Sequence, residues 1–318
     1  MESLIEYRKL PNTDLTISRI VFGAEPLGGT DWGTADMSAL GAAVQSAVEL
    51  GINCFDTADV YGLGTSEERL ASVLGERRHR TVIVTKGGVR WSVDRSGRAK
   101  TWTDCSPEYL QQAIDESLRR LRIDSIPLYL VHRYDPAVSM DRLMELLARN
   151  RQAGKIRYFG LSNFPSAAIE QARSIAAVQF CYSLLDCSAK SEILPLARKL
   201  GIGTMAYGTL AQGLLTGKYT SESRFEVTDR RHRLEHFQPE GIRARRQLLQ
   251  RLAAFAAERN VPQAAVAVRW VLDDAAVDSA VIGLKSSEQV RHTADFFGWR
   301  LTPSERTALS GTKSTEPT

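Results

Sequence analysis

Short apolar runs alternate along the chain with longer stretches in which apolar residues recur every three or four positions. The short runs predict strands at Ile20–Phe22, Cys54–Thr57, Val82–Thr85, Pro127–Val131, Phe159–Leu161, Val178–Cys181, Gly203–Ala206 and Ala280–Ile282. The longer stretches predict helices at Ser38–Leu50, Thr65–Leu74, Pro107–Leu121, Met140–Gln152, Ala167–Ala176, Glu192–Leu200, Gly241–Arg259 and Ser287–Phe296. Local signals agree with these boundaries, since Ser106-Pro107 is a typical helix beginning and Gly51 a typical helix end.

Strands and helices that alternate in this way favour a closed (β/α)8 barrel, the TIM barrel of the α/β class. A doubly wound sheet is the alternative, but no G-x-G-x-x-G motif follows a predicted strand. Before the first strand, Tyr7–Thr16 with its Asn12-Thr13-Asp14 turn predicts an N-terminal β-hairpin at the barrel floor. No linker interrupts the pattern, so residues 1–318 are expected to form a single domain, with 311–318 as a polar tail.

Composition excludes some classes of protein. No window approaches the roughly 18 uninterrupted apolar residues of a membrane span, so no membrane partner is expected. The N-terminus lacks the basic start and apolar run of a secretory signal. The four cysteines show no metal-binding or disulfide spacing, which predicts a reduced, cytoplasmic protein without a bound metal.

The net charge of +4 is concentrated in one segment. Residues 224–251 carry eight arginines against four acids, and the rest of the chain holds 33 basic and 33 acidic residues. A nucleic-acid binder usually has a broader basic stripe with interleaved aromatic residues, so no nucleic-acid partner is expected. The segment fits either a solvated helix face or a site for a small anion.

Candidate chemistry lies at the carboxyl ends of the predicted strands, where (β/α)8 barrels have their active sites. The polar and aromatic residues at these ends include Asp56, Tyr61, Lys86, His132, Ser162, Asn163, Gln179 and Tyr207. Each has a structural explanation by itself, such as a helix cap for Asp56 or a core histidine for His132. A carboxylate, a phenol, an amine and an imidazole at neighbouring strand ends together indicate a catalytic site.

Seven stretches resemble the aldo-keto reductase superfamily, in the family's order and over roughly residues 5–302. They read FDTADVYGLGTSEERLASVL, VIVTKGG, LYLVHRYDP, GKIRYFGLSNF, AVQFCYSLLD, AYGTLAQGLLTGKY and VIGLKSSEQV. No single stretch would suffice, but the combination is highly specific. The resemblance implies a metal-free transfer of hydride between a nicotinamide and the carbonyl or alcohol carbon of a small molecule.

The resemblance also implies a role for each residue of the catalytic set. Tyr61 is expected to be the general acid that protonates the developing alkoxide. A free phenol has a pKa of about 10, so a nearby cation is expected to lower it, and Lys86 would supply that charge. Asp56 is expected to hold the lysine, and His132 to polarise the substrate oxygen.

The cofactor residues that the resemblance implies fall into three groups along the chain. Ser162, Asn163 and Gln179 are expected to bind the nicotinamide carboxamide together with Asp56, and Tyr207 to stack on the ring. The loop along the pyrophosphate has Gly208, Leu210, Gln212 and Lys218 at contacting positions, followed by Arg224 or Arg230. Gly283, Lys285, Ser287 and Gln289 match the adenosine-phosphate end.

Positive charge at that end favours NADP(H) over NAD(H), because Lys285 and Arg291 can face a 2′-phosphate. Two departures from the family pattern accompany this assignment. Gly208-Thr209 replaces a frequent Ser-Pro pair, and His292-Thr293 replaces the Glu-Asn pair that holds the adenine amino group.

Substrate residues are expected on the loops of the rim. Trp32, Trp91 and Tyr134 are candidates beside His132, with Trp102 nearby. Such an aromatic mouth suits small aldehydes, keto-sugars or natural-product ketones equally. Two alternatives to a reductase stay open: an NAD(P)-dependent sugar or alcohol dehydrogenase, and a non-enzymatic binding subunit that resembles potassium-channel β subunits.

Overall fold

Eight parallel strands close into a barrel in this computed structural model, which describes residues 5–94, 99–172 and 174–311. The strands of these residues are β1 (Tyr7–Lys9), β2 (Thr16–Ser18), β3 (Ile20–Gly23), β4 (Cys54–Asp56), β5 (Val82–Gly87), β6 (Val89–Val93), β7 (Ala99–Thr103), β8 (Ile126–Val131), β9 (Ile156–Ser162), β10 (Ala177–Cys181), β11 (Gly203–Tyr207) and β12 (Ser279–Gly283). The barrel order is β3-β4-β5-β8-β9-β10-β11-β12, and β12 pairs with β3 through Val281 and Val21. The predicted (β/α)8 barrel is therefore confirmed.

The α-helices of the described residues surround the barrel. They are α1 (Met37–Leu50), α2 (Thr65–Leu74), α3 (Pro107–Leu121), α4 (Met140–Gln152), α5 (Ser166–Gln171), α6 (Ile193–Leu200), α7 (Pro239–Ala244), α8 (Arg246–Glu258), α9 (Gln263–Leu272), α10 (Ser287–Arg291) and α11 (Pro303–Ser310). Helices α2, α3 and α4 have the predicted bounds. The cap of α3 is as expected, because the Ser106 side chain accepts a hydrogen bond from the Tyr109 amide.

The N-terminal hairpin closes the floor of the barrel, as predicted. Strands β1 and β2 pair antiparallel, with Arg8 opposite Ile17. Leu10, Leu15 and Ile17 are buried with the inward-facing residues of the barrel strands in one hydrophobic cluster. The larger cluster lies between the outer face of the sheet and the helices. Since the floor is plugged by apolar side chains, polar chemistry is left to the opposite rim.

Three predicted helices differ from the structure by more than one residue, whereas α1 and α6 each differ by one residue at the beginning. The stretch Gly241–Arg259 is divided between α7 and α8, because the chain leaves helical geometry at Arg245. The helix predicted at Ala167–Ala176 ends at Gln171, since the backbone amide of Ala176 donates to the carbonyl oxygen of Phe159 in β9. The last predicted helix is α10 followed by a 3-10 turn, His292–Phe296.

Three further elements were not predicted. Helix α9 has all eight residues from Ala265 to Leu272 buried, so it lacks the polar face that a helical pattern requires. Helix α11 begins with a capping box between Thr302 and Glu305, a signal that is present in the sequence. Strands β6 and β7 form a hairpin in the rim loop between β5 and α3.

The described ranges contain no helix long and apolar enough to cross a membrane. They also contain no group of three or more His, Cys, Asp or Glu side chains arranged to hold a metal ion. Of the expected polar tail, only Gly311 belongs to the residues that the structure describes, and 312–318 lie outside them.

Candidate active site

The four residues of the expected catalytic set meet at the carboxyl-terminal rim of the barrel. Asp56 ends β4, Lys86 lies in β5, and His132 directly follows β8. The Lys86 Nζ donates to Asp56 Oδ1 at 2.6 Å and to the carbonyl oxygen of Thr57 at 2.9 Å. The side chains of the lysine and aspartate are 1% and 5% exposed, so this ion pair is isolated from solvent. A fixed, buried charge pair therefore stands at the base of the site.

Tyr61 comes to the same place from the loop that follows β4. Its ring centroid lies 5.2 Å from the Lys86 Nζ and 5.7 Å from the centroid of the His132 ring, which it meets edge-on. Two glycines permit this loop to approach the loop after β3. A Cβ added at Gly62 would lie 2.2 Å from the carbonyl oxygen of Gly28, and Gly62 has φ +59°. Neither condition suits a side chain, so the glycine fixes where Tyr61 stands.

The electrostatics of Tyr61 differ from the expectation. Burial raises the pKa of Tyr61 well above its ordinary value, and the negative charges of Glu25 and Asp56 raise it further. These effects outweigh the lowering that was expected from Lys86, whose charge is paired with Asp56. Tyr61 therefore keeps its proton at neutral pH.

His132 is held uncharged beside this phenol. Burial lowers the pKa of His132 well below its ordinary value, and the charges of Lys86 and Arg133 lower it further. Its Nδ1 is buried and has no hydrogen-bond partner among the described residues. A neutral imidazole and a neutral phenol therefore face each other over the buried Lys86–Asp56 pair.

The residues expected at the nicotinamide carboxamide lie together on the next strands. The Gln179 Nε2 donates to Asp56 Oδ2 at 2.7 Å, which ties β10 to the catalytic pair across the barrel. The Asn163 Nδ2 donates to Ser162 Oγ and to the carbonyl oxygen of His132, both at 3.0 Å. The Tyr207 hydroxyl donates to Asn163 Oδ1 at 2.6 Å. The structure thus brings all four residues beside the catalytic set.

The loop after β11 has an unusual backbone. Ala211, Gln212 and Gly213 have positive φ angles in succession, and Gly208 has one as well. Left-handed geometry costs non-glycine residues on the order of 1–3 kcal/mol and is concentrated at binding sites. Of the other expected contacts here, Leu210 is half-buried, while Lys218 and Arg224 are exposed. Arg224 donates to backbone carbonyl oxygens of its own loop, at Ser221 and Ser223.

The last barrel strand ends beside a cluster of cations. A Cβ added at Gly283 would meet nothing within 4 Å, so the backbone at the end of β12 is open to close approach. The Lys285 amide donates to Gln289 Oε1 at 2.8 Å. Its ammonium lies 4.7 Å from the centroid of the Trp32 ring, and burial and the charge of Arg231 lower the pKa of Lys285. Ser287 is the first residue of α10, whose cap is the neighbouring Ser286.

Trp32 was expected to contact substrate, but the structure packs it against these cations. The Arg230 guanidinium lies 5.0 Å from the centroid of the Trp32 ring. Trp32 also forms a backbone bridge with Asp229, and its Nε1 is buried with no hydrogen-bond partner among the described residues. Trp32 therefore joins the first rim loop to the loop at residues 218–238.

The other aromatic residues of the rim occupy separate positions. Tyr134 is 37% exposed and packs edge-on against Phe164 at 5.4 Å between ring centroids. In the β6–β7 hairpin, Trp91 pairs with Thr101 and Trp102 pairs with Arg90. Adjacent strand residues point to opposite faces, so Trp91 and Trp102 cannot line one surface together.

Much of the arginine-rich segment is paired with carboxylates. Arg230 bonds both Glu25 and Asp31, Arg231 bonds Asp229, and Arg233 bonds Asp31. These acids include Glu25 and Asp31, which lie outside the segment, so counting charge within residues 224–251 overstated the cation available to an anion. The fold brings the opposite charges together from almost 200 positions away.

Glu25 was not predicted as a site residue. It directly follows Ala24, whose amide donates to the carbonyl oxygen of Asp56 at 2.8 Å. The rule that residues after a barrel strand face the active site could have identified it, because Glu25 stands two positions beyond the end of β3.

Comparisons with known proteins agree with this geometry. The sequence model described as "Aldo/keto reductase family" matches residues 19–312. The chain is 32% identical to aldo-keto reductase YhdN of Bacillus subtilis, over 93% of this chain and 90% of that protein. It is 28% identical to aldo-keto reductase yakc [NADP(+)] of Schizosaccharomyces pombe, over 92% and 86% of the two chains. The structure of the glycerol dehydrogenase AKR11B4 from Gluconobacter oxydans superposes with a TM-score of 0.88 at 32% identity, over 100% of this chain and 99% of that one. This chain therefore belongs to the aldo/keto reductase family of oxidoreductases.

Proposed function

We propose that the protein is an NADP-dependent carbonyl reductase in which Tyr61 is the general acid. The observation that carries the proposal is the convergence of Tyr61, His132, Lys86 and Asp56 at one end of the barrel. A phenol with a raised pKa retains the proton that a reduction must deliver. The family assignment supports the same class of reaction on a carbonyl or alcohol group.

The residues present fit a nicotinamide dinucleotide. The Asn163 amide accepts from the Tyr207 hydroxyl, the Gln179 amide donates to Asp56, and the open backbone at Gly283 lies two residues before Lys285. When bound, the nicotinamide would supply hydride to the carbonyl carbon in reduction and accept it in oxidation. We assign the carboxamide to Ser162, Asn163 and Gln179, and the pyrophosphate to the loop from Gly208 to Lys218.

Each catalytic residue then has one task. Tyr61 donates its proton to the substrate oxygen as that oxygen gains negative charge, which completes the reduction of C=O to CH–OH. Neutral His132 hydrogen-bonds the same oxygen and fixes its position. Asp56 holds Lys86 in place, and the ammonium stabilises the phenolate that Tyr61 becomes after it has given up its proton.

Preference for NADP(H) rests on Lys285 and its surroundings. Lys285 and Arg231 both lie against the Trp32 ring, at 4.7 and 5.9 Å from its centroid. Arg231 is paired with Asp229, so Lys285 is the cation that we assign to a doubly charged phosphate group. The name of the S. pombe relative includes NADP(+), which supports this assignment.

A second candidate is the oxidation of an alcohol by the same residues. The Gluconobacter oxydans relative is named a glycerol dehydrogenase, and its fold and length match those of this chain. In that direction Tyr61 would have to accept a proton, which requires the phenolate. The raised pKa of Tyr61 therefore favours reduction at neutral pH and oxidation at alkaline pH.

Fluorescence titration with NADPH and NADH, followed by a panel of aldehydes with the preferred cofactor, tests the proposal. We expect NADPH to bind more tightly, and Lys285→Met to weaken NADPH binding by about tenfold while it changes NADH binding little. Lys199→Met is the matched control, because this exposed lysine of α6 bonds Glu170 and belongs to no expected cofactor contact. Equal binding of the two cofactors by the wild type would refute the role of Lys285, and a lack of aldehyde-dependent NADPH oxidation would refute the proposed activity.

A further inference from the structure

An ion pair between Glu25 and Arg230 stands beside the proposed acid. Glu25 belongs to the 3-10 turn Glu25–Gly28 that directly follows β3, the strand next to that of Asp56. The Arg230 guanidinium reaches it from the loop after β11, with Nη1 at 3.3 Å from Glu25 Oε2. The side chains of Glu25 and Arg230 are 24% and 26% exposed, so both lie mostly below the surface but within reach of a small ligand.

Glu25 lies near the reacting groups, because it directly follows the end of β3, which pairs with the strand that ends in Asp56. Among the charged groups that act on Tyr61, Glu25 has the largest effect on its pKa. Lys86 in turn acts on Glu25. The loop that begins with Glu25 also approaches the loop of Tyr61, since a Cβ at Gly62 would lie 2.2 Å from the Gly28 carbonyl oxygen.

Stability does not explain this pair. A partly buried ion pair gains little net free energy, because the attraction is offset by the loss of hydration. Arg230 has a second carboxylate, Asp31 at 3.2 Å, that could hold it without Glu25. Burial raises the pKa of Glu25 despite the neighbouring arginine, so the carboxylate is kept here at a cost.

Both partners retain hydrogen-bonding capacity. A carboxylate offers about four acceptor positions and a guanidinium five N–H donors, and the contacts to each other and to Asp31 use only some of them. A hydroxyl group can donate to the Glu25 carboxylate and accept from the Arg230 guanidinium at the same time. An alkyl chain in this position would leave the remaining donor and acceptor positions unused and cut off from water, and an anionic group would be repelled by the carboxylate.

We propose that Glu25 and Arg230 form a subsite for hydroxyl groups carried next to the reacting carbon. The substrate class is then hydroxyaldehydes and hydroxyketones in reduction, and polyols in oxidation. This assignment rests on the proposed function, because it takes Tyr61 as the point where the substrate oxygen binds. It gives Glu25 a role in choosing the substrate and none in transferring the proton.

Glyceraldehyde and propanal provide the test, because both are three-carbon aldehydes and only the first carries hydroxyl groups. For the wild type, we expect kcat/KM to be about tenfold to a hundredfold higher with glyceraldehyde. Glu25→Gln should remove most of this preference by raising KM for glyceraldehyde. Removal of the charge will also alter the pKa of Tyr61 and hence kcat, but equally for both aldehydes. The ratio of the two kcat/KM values therefore reports only the effect of the subsite.

Asp31→Asn is the matched control, since it removes the other carboxylate that bonds Arg230 and leaves Glu25 in place. It should leave the ratio of the two aldehydes within about twofold of the wild type. A readout without turnover is calorimetric binding of glyceraldehyde to the NADPH-loaded Tyr61→Phe protein, which should weaken about tenfold when Glu25→Gln is added. Circular dichroism and NADPH binding establish that each variant is folded.

Three outcomes separate the hypotheses. Reduction of propanal and glyceraldehyde with equal efficiency by the wild type overturns the subsite and leaves the proposed reductase intact. A preference for glyceraldehyde that survives Glu25→Gln, with unchanged calorimetric binding, overturns the role of Glu25. Failure to reduce any aldehyde removes the proposed function, and the hydroxyl subsite falls with it.

Discussion

The two ends of the barrel both contain buried polar groups, but these groups differ in whether they have hydrogen-bond partners. At the floor, Arg19 is 3% exposed and donates to Glu6 and to the carbonyl oxygens of Leu272, Val277 and Asp278. At the rim, the His132 Nδ1 and the Trp32 Nε1 are buried without a partner among the described residues.

This difference distinguishes polar groups that hold the fold together from polar groups that are available to a ligand. The floor network contains three arginines and three carboxylates drawn from the N-terminal segment, α9 and the chain after it: Glu6, Arg19, Arg269, Asp273, Asp278 and Arg300. Its members bond one another and the backbone, so they fasten the ends of elements together. The rim groups keep donors and acceptors unused, which is what a ligand requires.

The largest expected effect on kcat comes from removing one tyrosine hydroxyl group at the rim, compared with removing one at the floor. Tyr61→Phe should lower kcat by about 10²–10⁴-fold, the usual contribution of a general acid, while NADPH binding stays close to that of the wild type. Tyr7→Phe is the matched substitution at the floor, where the hydroxyl donates to the carbonyl oxygen of Gly51 at 2.6 Å. It should leave kcat unchanged, as measured by steady-state NADPH oxidation. Wild-type turnover in the Tyr61 variant would exclude its role as the acid.

The pH dependence should show the raised pKa of Tyr61. Oxidation needs the phenolate, whose fraction grows tenfold per pH unit below the pKa, so the oxidation rate should climb without a plateau until at least about pH 10. Reduction needs the protonated phenol and should stay flat over the same range. His132 adds no transition near neutrality, because its pKa is lowered well below 6.5. A plateau of the oxidation rate below pH 9 would contradict this account of the site.

The third prediction compares two buried ion pairs, one at each end. Lys86→Met leaves the Asp56 carboxylate buried without its cation, and Arg269→Met removes from Asp273 the nearer of its two cations, with Arg300 remaining at 3.7 Å. Each should lower the free energy of unfolding by about 3–5 kcal/mol, measured by urea denaturation. The variants should differ in catalysis: the folded Arg269 variant keeps its kcat, whereas the Lys86 variant loses most of it. Equal losses of kcat would mean that the two ends do not differ as described.

Much of the fold could be predicted because its signals are local. Helix α3 has a serine cap, a proline at its first position and an amphipathic face, and its observed bounds are the predicted ones. Helix α9 escaped prediction because burial on all sides removes the periodic pattern. Helix α7 and helix α8 were merged because nothing in the residues around Arg245 signals the break.

Part of the candidate site could be predicted from the sequence for the same reason. The strand ends, together with the family resemblance, indicated Asp56, Lys86 and His132, and the barrel brings them together. Glu25 was overlooked, although its place after β3 follows the same rule. The pairing of Glu25 with Arg230 could not have been predicted, since the two residues are 205 positions apart. They meet only because the loops after β3 and after β11 pack together at the rim.

The sequence by itself determined the alternation of strands and helices, the hairpin at the floor and the catalytic residue types, because periodicity and capping act over a few neighbouring residues. Only the tertiary structure decided that Trp32 packs against Lys285, that Arg230 is held by Glu25, and that the pKa of Tyr61 is raised. These features depend on desolvation and on charges from distant segments. Both arise when the barrel closes and the loops of its rim pack together.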